Sequence, residues 1–124
     1  MRPAAVGFLA LTLLGAQAQG VGAASKASRA EVRFGVDVAR RGLWAEARFR
    51  FERAAELDPR NAAAFNNLAV ACEQQGDFAG AREAYEEALR LKPGQRQIEQ
   101  NFELFREADD KRKRDSEKDA DAAR

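Results

Sequence analysis

The chain has no histidine, one cysteine, one methionine and three prolines in 124 residues. Without histidine it lacks the commonest general base and the commonest metal ligand. With Cys72 alone, no disulfide can close within the chain. Cys72 falls among apolar residues at helical spacing, so it reads as a small core residue and not as an exposed thiol. Neither sign of charge dominates: 21 basic side chains face 20 acidic ones. Residues 1–18 hold only Arg2 among them, so the remainder carries 20 of each. A neutral chain lacks the long-range pull of a nucleic-acid or anionic-surface binder. There is no Gly-rich phosphate loop, no nucleophile elbow and no metal-ligand cluster. Catalysis is therefore not expected, nor is a cofactor or a bound metal.

What the chain does have begins with a leader. Arg2 precedes an apolar run from Ala4 to Leu14, and Ala16-Gln17-Ala18 follows as a small-x-small site. This is the layout of a secretory signal peptide over residues 1–18, cleaved near 18–20. The run is short of the ~20 residues a membrane span needs, so no stable span is expected. The Ala/Arg-rich composition suits a bacterial source, which gives the periplasm or the outside as destination. The alternative is an inner-membrane anchor formed by an uncleaved leader. Residues 19–27 read as a linker.

From Ser28 onward apolar and small residues recur at helical spacing, and they recur again 34 residues later. Gly42 meets Gly76, Trp44 meets Phe78, Ala47 meets Ala81, Phe51 meets Tyr85, Ala54 meets Ala88 and Pro59 meets Pro93. Phe34, Gly35 and Val38 meet Leu68, Ala69 and Cys72. Each unit, 28–61 and 62–95, thus reads as helix, glycine turn, helix and proline stop. Small residues allow close backbone approach and aromatics fill the space beside them. Neither helix of a unit can bury its stripe alone, so the units must stack.

A further stripe, Ile98, Phe102, Phe105 and Ala108, marks a capping helix over 96–108. Residues 109–124 contain six acids, six bases and no large apolar side chain. They read as a frayed helical extension passing into disorder. The basic run Lys111–Arg114 is closely flanked by acids, so a solvated tail is favoured over a phosphate-binding one.

These residues carry a resemblance to the tetratricopeptide repeat family, a 34-residue helix-turn-helix unit. The second unit is the better match, through Phe65, Leu68, Ala69, Gly76, Phe78, Ala81, Tyr85, Ala88 and Pro93. The first departs at Glu31, where a large apolar residue is usual, and at Val38, where an aromatic is. The fold expected is all-α: a helical solenoid of two such repeats plus a C-terminal capping helix. The resemblance implies a protein-protein interaction adaptor whose first helices line a concave groove for a partner peptide or helix. By that analogy the groove residues are Arg33, Arg40, Asn66, Asn67, Val70, Glu73 and Gln74, with Arg29, Val32, Val36, Gln97 and Gln100 around them. Of the set with which family members grip a C-terminal carboxylate, only Asn67 has a counterpart here. The alternative is a self-assembling structural or envelope-complex subunit with no groove role. Two repeats make a thin stack, so a homo-oligomer through the N-terminal face, using Val32 and Val36, is the companion expectation.

Overall fold

The computed structural model describes residues 25–124. The leader, its cleavage site and residues 19–24 of the linker lie outside the described residues. Those described form five helices and no strand: α1 (Lys26–Arg40), α2 (Trp44–Leu57), α3 (Ala62–Gln74), α4 (Phe78–Leu91) and α5 (Arg96–Ala122). The order is that of two helical hairpins followed by a single long helix.

Each boundary has a local chemical cause. The Ser25 side chain caps α1 by accepting from the Ser28 N–H, and so starts the helix two residues before the expected Ser28. Asn61 and Asp77 do the same for α3 and α4, accepting from Ala64 and Gly80. Gly42 and Gly76 stop α1 and α3 at φ 79° and 78°, left-handed values natural only to glycine. The next residues, Leu43 and Asp77, donate back to the carbonyls of Val38 and Cys72. Each thereby closes a Schellman-type end. The helix expected to stop at glycine does so, in both units, for the same reason.

The hairpin partners α1·α2 and α3·α4 pack most heavily, and α2 packs on α3 to join them. Because α1 also touches α3, and Asn101 of α5 bonds Asn66 of α3, the first helices lie side by side in one layer. The core alternates small and large as the sequence requires. Ala39, Ala47, Ala54, Ala69, Ala71, Ala81 and Ala88 are fully buried beside Phe51, Tyr85 and Phe105. Gly35 is the tightest point: a Cβ there would lie 2.4 Å from the Phe51 ring.

Ser28 and Asn61 tie the first hairpin to the start of the second. The Ser28 hydroxyl donates to the Ala54 carbonyl at 2.7 Å and accepts from Asn61 Nδ2 at 2.8 Å. Both residues are buried, so every polar group of this joint is met inside the protein.

Two expectations need correction. The stripe on the last helix ends on Asp109, not Ala108: Ile98, Phe105 and Asp109 are buried, Phe102 is half-buried and Ala108 is exposed. The charged segment from 109, expected as a frayed helical extension passing into disorder, is helical. It continues α5 without a break to Ala122. Asp109 explains the first part of that continuation, since Arg82 of α4 reaches it at 3.1 Å, Arg112 at 3.1 Å and Lys113 at 2.9 Å. Arg112 also lies 3.4 Å over the Phe78 ring. Beyond Lys113 the helix is wholly exposed and is supported only by its own pairs, such as Lys111–Asp115 at 2.7 Å.

Candidate functional site

The three first helices, α1, α3 and α5, supply the residues expected to line a groove. The middle one is nearly submerged. Asn66 and Asn67 are 0% exposed and Val70 is 2% exposed, so none of the three forms surface, contrary to expectation. The reason is that α1 and α5 close in on α3 from both sides. Val32 and Val36 are likewise core, at 1% and 6%, so they offer nothing to a neighbouring copy at the N-terminal end.

The buried amides form a connected row instead. Gln97 donates to Asn101 at 3.2 Å, Asn101 donates to Asn66 at 3.2 Å, and Asn66 donates to Asn67 at 3.3 Å. The row ends at Asn67 Nδ2, a buried donor with no acceptor among the described residues. A buried polar row is tolerated when its members satisfy one another, and an unmet amide donor carries a penalty of about 1–3 kcal/mol. The sequence signalled these residues as polar and facing the first-helix layer. It did not signal that they pair across helices.

Glu73 is half-buried and accepts from the Tyr85 hydroxyl at 2.6 Å. Burial raises its carboxyl above the ordinary range, against the Tyr85 bond and the Arg112 charge. Burial raises the Tyr85 phenol well above its usual value, with the Glu73 charge adding to it. Glu73 is therefore a partner of the core tyrosine more than a ligand. What stays at the surface of the first-helix layer is Arg33 and Arg40, both exposed, with Gln74 half-buried. Arg40 pairs with Asp37 at 3.7 Å. Leu104 on α5, missed by the sequence reading, stands 49% exposed three residues past Asn101 and so on a neighbouring side of the helix.

A cleft of about 380 Å³ lies between α2, α3 and α4, with Arg48, Glu52, Phe65, Leu68 and Cys72 among its walls. Arg48 is already engaged with Glu52 at 3.2 Å and Asp77 at 3.0 Å. Burial pushes the Cys72 thiol up to about 11, so it is un-ionised at neutral pH and a poor nucleophile. As the sequence implied, Cys72 is buried and unpaired. Among the described residues, no group of three or more Cys, Asp or Glu is placed to hold a metal ion. Nor is any described helix long and apolar enough to cross a membrane.

The basic run is divided by its helix. Arg112 and Lys113 turn to Asp109, and Lys111 turns to Asp115. Three of its four cations are thus engaged within α5, as a solvated mixed-charge face requires.

Stacked helical hairpins joined by short loops define a helical-repeat protein. The chain belongs to the tetratricopeptide repeat family, whose pattern matches residues 32–96, just over half of its length. Repeats of this family in general mediate protein–protein interaction and are typically non-enzymatic scaffolds. No curated protein matches the chain significantly.

Proposed function

We propose that the protein is an exported interaction adaptor that seats an extended peptide or a helix of a protein partner across the first-helix layer. The observation carrying this reading is the composition of that layer's open surface. The apolar side chains that could form an undifferentiated sticky face are consumed by packing. Arg33 and Arg40 remain on one flank, Gln74 in the middle, and Gln100 and Leu104 on the other. A peptide backbone needs donors for its carbonyls, and an acidic segment needs guanidinium groups, which bind carboxylates in bidentate fashion. The binding strip is thus shifted outward from Asn66, Asn67 and Val70 onto the two flanks, with the amide row as its floor.

Export rests on the leader alone: Arg2, the apolar run to Leu14 and the Ala16-Gln17-Ala18 site. Cleavage there delivers the protein to the periplasm or the outside. Retention by an uncleaved leader would instead leave it tethered to the inner membrane. Sequencing the N-terminus of protein recovered from cell fractions decides this; Met1 in the membrane fraction overturns the cleaved-leader reading.

The partner reading is tested by affinity capture from the compartment that holds the protein. The double variant Arg33→Ala/Arg40→Ala is run beside the exposed control Glu86→Ala. A partner retained by wild type and control but lost by the double variant supports the groove. Equal retention by all three removes it.

A further inference from the structure

The overall charge balance of the chain conceals a difference between the two ends of the stack. Ser25, the α2–α3 loop and the α4–α5 loop lie together at one end. The Ser25 N–H donates to Asp58 Oδ2 at 2.7 Å, and Ile98 packs with Ala62, Ala63 and Leu91. The two glycine turns lie at the other end, where charges are matched within the fold. Arg40 pairs there with Asp37, Arg48 with Asp77 and Arg82 with Asp109, with Arg41 exposed beside them.

The Ser25 end is not matched in this way. Lys26, Arg60, Lys92 and Arg96 are all exposed. None of these four side chains pairs with an acid among the described residues. Arg29 is a further cation at this end, and the acids are Glu56, Asp58 and Glu99. Asp58 turns both oxygens to backbone N–H groups, that of Ser25 and that of Arg60 at 3.0 Å. Lys92 and Arg96 flank the start of α5, whose first turn has no side-chain cap. Its open N–H groups and positive dipole add to the two cations, an arrangement suited to phosphate. Apolar residues stand beside them: Leu57 is 40% exposed, and Pro59 and Pro93 are exposed as well.

What joins the fold at this point identifies the anion. Ser25 is where the leader reaches the first helix, and residues 15–24 separate it from the apolar run ending at Leu14. As a flexible coil such a stretch spans about 20 Å, roughly the length of α1 itself. A leader seated in a bilayer therefore keeps the Ser25 end nearest to the lipid. An apolar run too short to span is a weak anchor, and a basic patch beside it supplies the second signal that stable attachment needs. We propose that the Ser25 end docks on an anionic lipid bilayer. Lys26, Arg60, Lys92 and Arg96 meet the headgroup phosphates, and Leu57 enters the interface. The helix axes then run along the membrane normal. The first-helix layer faces sideways and stays open to a partner, while the far half of α5 points away from the lipid.

The test is co-sedimentation of the full chain with vesicles of phosphatidylcholine alone or mixed with phosphatidylglycerol. Wild type is expected to bind the mixed vesicles at least about tenfold more tightly, with the preference collapsing as salt rises. Lys92→Glu/Arg96→Glu is expected to remove most of that preference. Lys118→Glu/Arg124→Glu makes the same change in net charge at the far end of α5 and is expected to stay within about twofold of wild type. The leader is common to all these chains and cancels from the comparison, and circular dichroism establishes that each is folded. Orientation is read with an environment-sensitive dye on Ala27→Cys or Ala120→Cys, since buried Cys72 gives little background. The dye at position 27 is expected to respond to mixed vesicles and the dye at 120 to stay silent. Equal binding to both vesicle types overturns the proposal. So does a preference that survives Lys92→Glu/Arg96→Glu, one lost equally in the distal control, or a dye response as strong at 120 as at 27. The choice of a bilayer rests on the export reading, which N-terminal sequencing tests; vesicle binding reads the surface itself, so the two fail separately.

Discussion

The two repeats share a backbone plan and fill it differently. Where the first has Gly35 under Phe51, the second has Ala69 beside Tyr85. Where the first closes its outer side with the Glu31–Arg50 pair, the second closes it with a helix. The difference follows position in the stack. The inner unit has neighbours on both sides, α2 on one and α5 on the other, and can use apolar side chains throughout. The outer unit must end the stack on one side, and it does so with charges laid over aromatic rings. Glu31, which departs from the large apolar residue usual in the family, is part of that ending.

The sharpest way to break the comparison is to empty the aromatic position of each unit. Phe51 and Tyr85 are both essentially fully buried. Phe51→Ala and Tyr85→Ala are each expected to destabilise by about 3–5 kcal/mol in urea melts, a large part of the stability of a domain this size. Tyr85→Phe keeps the ring and is expected to lose only about 1 kcal/mol. It also removes a hydrogen bond that stabilises the Glu73 carboxylate, so the Glu73 titration should move further upward, which carboxyl NMR can follow.

Next is the close approach. Gly35→Ala puts a methyl into the fully buried Phe51 ring and is expected to lose about 1–3 kcal/mol despite better helix propensity. At the matching site Ala69→Gly makes a small void and loosens the helix, for about 1 kcal/mol. Equal effects at the two sites would mean that the Phe51 ring can move, and would undo the distinction drawn between the units.

A smaller effect separates the inner unit's cap from its core. Lys113, with Arg82 and Arg112, holds the Asp109 carboxyl down at about 2, against an unperturbed 3.8. A carboxyl with a depressed folded value contributes stability that is present above its unfolded value and is lost as pH falls. The Asp109 contribution should therefore be complete above about pH 4 and disappear toward pH 2. Asp109→Asn is expected to lower the melting temperature by several degrees at neutral pH and to converge on wild type in acid. Glu73 acts with the opposite sign, since its raised carboxyl favours folding once protonated. The difference between wild-type and Asp109→Asn curves isolates the first from the second. Smallest of all, Phe49→Ser on the outer unit should leave monomer stability within about 0.5 kcal/mol, because the ring is more than half exposed.

The repeat architecture was legible because its determinants are local and periodic. Glycine at the turns, small residues at the crossings and proline after each second helix come back at one fixed offset. Most of the candidate strip was not legible. Asn66, Asn67 and Val70 have the composition of a polar surface facing a groove, and only the approach of α1 and α5 from distant sequence submerges them. The extent of α5 was missed for a related reason. A segment without large apolar residues gives no burial signal, yet Asp109 draws three cations onto one carboxylate and Arg112 onto the Phe78 ring. Charge pairing carried what hydrophobic periodicity could not announce.

The amide row has a further consequence, which is one of direction. Gln97, Asn101 and Asn66 each give an N–H to the next oxygen and Asn67 only accepts, so the three bonds run in one sense. Turning any one of them around would set two N–H₂ groups or two oxygens face to face. The row therefore has two coherent settings and no intermediate one. The carboxamides are small and independent in sequence, but in the fold they behave as a single element with a head and a tail.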